Sequence, residues 1–168
     1  MLTIKKMIIM KFNKILVTLL ILGMLTCGIS AVFAEDGTLA DGTTVPIPEG
    51  FSVLDTGSGI FTLATEDQQT VIAVMDEDVT SDAEQAKESQ VANGAEFIAD
   101  KTVTIGDTEV IEQHFTKSGL NLYGYLFKAG DKDFIVTYTS TGEMNVEDAS
   151  SPVNQIITSL VGSTETSE

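Results

Sequence analysis

The chain has 168 residues, 25 acidic side chains against nine lysines, and a formal charge of −16 at pH 7. It contains no arginine or tryptophan, one cysteine and one histidine. Such a field repels nucleic acid and anionic lipid, the missing guanidinium removes bidentate clamping of phosphate or carboxylate, and a single thiol excludes an intrachain disulfide or a thiolate metal cage.

Lys5, Lys6, Lys11 and Lys14 precede the apolar run ILVTLLILGML at 15–25, and the first acids, Glu35 and Asp36, follow a patch of small residues. That layout is a secretory signal, residues 1–34. Met10 opens a signal of ordinary length by itself, so the true start is expected either there or at Met1. Val32 and Ala34 stand where a signal peptidase needs small side chains, which places cleavage between Ala34 and Glu35. Two alternatives rank below it. The run 15–33 is nearly the roughly 20 residues that span a bilayer, which would leave an uncleaved anchor. Lipidation at Cys27 ranks third, because Thr26 and Met24 fit a lipobox poorly. Export follows from any of the three, to the cell surface or beyond.

Beyond residue 34 the chain carries five lysines against all 25 acids, a formal charge of −20. Residues 35–44 (EDGTLADGTT) read as a flexible spacer, 45–161 as one domain and 162–168 as a polar tail. Pro46 and Pro48 suit an edge position. FSVL at 51–54, IFTLAT at 60–65 and TVIAVM at 70–75 are short β-branched and aromatic runs between turn-forming residues, hence strands. Ser81 and Glu84 form the S-x-x-E capping signal of a helix over 81–93, ended by Asn93-Gly94, with a thin apolar stripe of Ala83, Ala86 and Val91. Strand character returns at 97–105, 109–115, 122–128 and 133–139, joined by glycine-bearing connectors of hairpin length. In LYGYLFK both alternating sets are apolar, which marks a central strand covered on both faces. Ser151 and Pro152 then start a helix with Val153, Ile156, Ile157 and Leu160 on one face and Gly162 at its end. The order predicts an α+β fold, an antiparallel sheet sandwiched by two helices.

PEGFSV at 48–53, one helix after the third strand, the G-D-x-x-V turn at 106–110, YGYLFKAGDKDFIVTYTS at 123–140 and IITSL at 156–160 occur in an order that resembles the PsbP/Mog1-like family. The resemblance implies an α/β/α sandwich and a binding or assembly role rather than catalysis. Without tryptophan and arginine, and far more acidic, the chain departs from the photosynthetic members, so no binding residue is carried over.

No residue set points to catalysis, and no cofactor is expected. His114 shares a strand side with Val110 and Glu112 and reads as a half-exposed strand histidine; no G-x-S-x-G elbow supplies a serine nucleophile. Asp76, Glu77, Asp78 and Asp82 offer oxygen ligands of the kind calcium takes, but lack the glycine and terminal glutamate of an EF-hand loop and suit a helix start. Tyr123, Tyr125 and Tyr138 could line a ligand surface, though their strand spacing suits sheet packing. No phosphate-binding loop is present. The expected function is a non-enzymatic module acting on another envelope protein. The alternatives are a small-ligand or divalent-cation-binding extracytoplasmic domain and, third, an enzyme using carboxylates.

Overall fold

The structure, a computed structural model, describes residues 36–55, 60–76 and 82–165. The expected signal, Cys27, the cleavage point at Ala34 and Glu35, and Glu77, Asp78 and Ser81 lie outside them. Among the described residues no helix is long and apolar enough to cross a membrane.

Eleven elements follow in order: β1 (Asp36–Thr38), β2 (Thr44–Pro46), β3 (Phe51–Val53), β4 (Phe61–Thr65), β5 (Val71–Met75), α1 (Ala83–Ala92), β6 (Glu96–Ile105), β7 (Thr108–Lys117), β8 (Leu120–Ala129), β9 (Lys132–Ser140) and α2 (Pro152–Glu165). The fold is α+β. Seven strands form one antiparallel sheet in the order β3-β4-β5-β9-β8-β7-β6. All seven strands expected from the sequence are present, and β8 lies inside the sheet with Leu122, Tyr123, Tyr125, Leu126 and Phe127 buried on its two sides.

Three tight loops set the register of the long meander. Ile105↔Thr108, Lys117↔Leu120 and Ala129↔Lys132 each close a two-residue hairpin. The first and third begin with glycine at positive φ, as a type II′ turn requires. The second places Ser118 at φ 55° ahead of Gly119, a conformation that costs a side chain other than Asn, Asp or Gly some strain.

The helices cover opposite faces. Val153, Ile156, Ile157 and Leu160 of α2 are fully buried in one cluster with Tyr123, Tyr125, Phe134 and Ile72, each such burial contributing about 1.5–3 kcal/mol before entropy is counted. Ser151 Oγ accepts the Asn154 N–H (3.2 Å) and Pro152 opens the helix, as the sequence indicates. On the other face Ala86 of α1 packs with Met75, Leu126 and Ile135.

Four expectations need correction. The expected spacer, 35–44, is not one over its described residues: β1 and β2 pair as a hairpin, and Leu39 enters the main core beside α2 together with Val45. Asp41, in the hairpin loop, forms an ion pair with Lys132 at the start of β9 that pins the hairpin to the sheet. The N-cap of α1 is Asp82, whose Oδ1 accepts the Glu84 and Gln85 N–H groups at 3.1 Å each. Val91 is 49% exposed while Ser89 is buried, because Val91 stands about 140° around the helix from Ala86 at 3.6 residues per turn. Finally, α2 runs through Gly162 to Glu165, so the polar tail begins later than expected.

Candidate functional site

The register lines up the sheet's chemistry in two rows on the face that α2 covers. One row runs Lys101↔Glu112↔Tyr125↔Val136↔Val74↔Phe61. Its neighbour runs Ala99↔His114↔Tyr123↔Tyr138↔Ile72↔Leu63↔Val53. Both change along their length: the charged groups and the imidazole lie on β6 and β7, tyrosines on β8 and β9, and purely apolar side chains on β5 and β4.

In the first row Lys101 Nζ stands 3.6 Å from Glu112 Oε1 and 3.4 Å from Glu147 Oε2. The Glu112 side chain is only 8% exposed. Its Oε2, and the buried Tyr125 hydroxyl opposite, have no protein partner of hydrogen-bond geometry. Burial, and after it the Glu112 charge, push the Tyr125 phenol well above its ordinary range. Burial also raises Tyr123, against the Met144 backbone, which works the other way.

In the second row the His114 imidazole stacks on Tyr123 with centroids 4.3 Å apart and planes 8° apart. Its Nε2 lies 3.0 Å from Asn121 Oδ1. Asn121 Nδ2 donates to the Thr141 (3.4 Å) and Gly142 (3.2 Å) carbonyls, so Oδ1 is an acceptor and His114 Nε2 carries the proton. The segment after β9 is thereby tied to the sheet, and it seals this end with Val146 fully buried and Met144 against the core.

The imidazole is stacked on one ring and hydrogen-bonded, Lys101 is shared by two carboxylates, and the Glu112 side chain is largely shielded from solvent. Tyr123, Tyr125 and Tyr138, considered as a ligand surface from the sequence, are 5%, 0% and 8% exposed within the core, so they pack the sheet. The Lys101, Glu112 and Tyr125 row escaped sequence reasoning. Its signal was present: once the loops are known to have two residues, register follows by counting back from each.

Of the acidic candidates, Asp82 caps α1 and Asp76 is half-buried after β5. Among the described residues, no group of three or more His, Cys, Asp or Glu side chains could hold a metal ion.

A second feature is an open polar groove of about 610 Å³ between the β4–β5 turn and the end of β9, lined by Thr65, Glu66, Asp67, Gln69, Thr70, Ser140 and Thr141. Thr70 and Ser140 share a hydroxyl hydrogen bond of 3.0 Å across its floor. Asp67 accepts the Thr65 hydroxyl (2.6 Å) and the Gln69 N–H (3.1 Å), and these bonds hold its carboxyl below the usual range. No protein-family model matches the chain, and no curated protein matches it in sequence.

Proposed function

We propose that the chain is an exported, non-enzymatic binding or assembly module of PsbP/Mog1-like type that engages another protein of the cell envelope. One observation carries this reading: the side chains able to do chemistry are locked against one another on the α2 face, as in the His114–Tyr123 stack and the Lys101–Glu112–Glu147 cluster. What the domain presents outward is an acidic surface and exposed sheet edge. A charged surface of this kind steers a basic partner and sets its orientation. The secretory signal at 1–34 supplies the route.

The test is chemical crosslinking in native envelope with a tag after Glu168, followed by mass spectrometry against an acidic control protein of equal charge. One reproducible envelope protein, missing from the control, supports the reading. Species shared with the control would contradict it.

A second reading, a small-ligand or divalent-cation-binding extracytoplasmic domain, is favoured by the groove at Glu66 and Asp67. Calcium or a small ligand would then raise the melting temperature, and Asp67→Asn would abolish that rise.

A further inference from the structure

We infer that the outer edge of β6 is a strand-addition site for an extended, lysine- or arginine-rich segment of a protein partner. This deepens the binding-module reading and rests on it. Among the described residues no strand pairs with that edge. β6 has ten residues, about 33 Å at 3.3 Å per residue, whereas β3 at the opposite edge has three.

Register decides which backbone groups face outward. Ile105↔Thr108 closes the β6–β7 hairpin, so hydrogen-bonded pairs recur at Val103↔Val110 and Lys101↔Glu112. The residues between, Thr104, Thr102 and Asp100, therefore turn their N–H and C=O groups away from β7. A partner strand would find there the alternating donors and acceptors that main-chain addition uses.

Edges are commonly blunted by lysine, proline or a bulge. Here the register shifts between Phe97 and Ala99, which guards the start of β6, but 100–105 is regular and free of proline. Its lysine, Lys101, is drawn onto Glu112 and Glu147. Along the edge stand exposed Glu96 and Asp100, with exposed Asp107 in the turn at its end and exposed Glu109 beside Thr104 on β7. A second copy would bring the same acids to the same edge and be repelled, whereas a basic strand meets opposite charge.

The test uses the protein expressed from Met1 and purified as the cell processes it. The probe is an eight-residue peptide alternating lysine with threonine and valine; its aspartate counterpart and a version N-methylated at alternate residues are the controls. The lysine peptide should slow amide hydrogen exchange at Asp100, Thr102 and Thr104. Thr102→Pro removes the central outward N–H at an edge position where proline is tolerated, and should weaken binding at least tenfold. Thr102→Val, which keeps the backbone, should bind like the parent. Equal binding of the N-methylated peptide, or protection elsewhere on the surface, would reduce the effect to diffuse charge attraction and overturn the site. Dimerisation abolished by Thr102→Pro and untouched by the peptide would assign the edge to a second copy and overturn it too. An envelope partner captured equally by the parent and Thr102→Pro would sink the edge but leave the binding-module reading standing. Capture by neither would sink that reading and the site with it.

Discussion

His114 and Tyr123 face each other across β7 and β8 as a parallel stack, with the imidazole also joined to Asn121. The pair links the centre of the sheet to the segment that closes over it. Replacing His114 by alanine removes both the stack and a hydrogen bond, so a loss of about 1–2 kcal/mol is expected in urea unfolding. His114→Phe keeps the stack and should lose about half as much. A structural histidine predicts that ordering.

Lys101 and Glu112 form a partly buried ion pair in which only the lysine reaches water. Lys101→Met leaves the Glu112 carboxylate with no nearby cation on its own row and should cost about 1–2 kcal/mol, a figure kept small because Lys101 is half exposed. Glu112→Leu added to it removes the stranded charge and should restore stability to within about 0.5 kcal/mol of the parent. A double-mutant cycle followed by chemical denaturation measures both.

The Asp41–Lys132 pair ties the β1–β2 hairpin to the sheet and gives its docking a pH window. The Lys132 hydrogen bond, then the Thr43 N–H, lower the Asp41 carboxyl to about 2. A lowered folded-state value means stability that is present above the unfolded value of 3.8 and lost as pH falls through about 2. Lys132 is raised by the same bond, so its share is complete below 10.5 and lost as pH rises from there through its higher folded-state value. In a carboxyl NMR titration Lys132→Met should move the Asp41 midpoint up toward 3.8.

Ser118 occupies a left-handed position in the β7–β8 turn. Asparagine suits that site in a type I′ turn, so Ser118→Asn should stabilise the protein by about 0.5 kcal/mol. Ser118→Val should destabilise it by at least about 1 kcal/mol. Thermal unfolding of both variants reads the sign.

The seven main strands and α2 were legible because their apolar residues recur at periods of two and 3.6 with clear turns between. The β1–β2 hairpin was not: its strands are three residues each, built from Asp, Gly, Thr, Val and Pro, and only Leu39 and Val45 carry apolar surface into the core. Tertiary packing against α2 decides that segment, and no local pattern reports it. For α1, which has too few apolar side chains to announce its buried face, the sheet chose Ala86 and Ser89. Gln113 shows the same limit, since its burial is explained by a bond from Nε2 to the Ala83 carbonyl (2.7 Å) thirty residues away. The polar row needed cross-strand register, which composition does not contain. The groove needed the β4–β5 turn and β9 brought together, which only the strand order supplies.

The binding-module reading is tested most directly by placing a photo-crosslinking amino acid at single exposed positions, Asp100 and Thr104 on β6, Gln69 at the groove and Glu88 on α1, in cells that export the protein. One discrete protein adduct from the β6 positions, absent from Gln69 and Glu88, is the expected result. No protein adduct from any of the four would contradict an envelope-binding role.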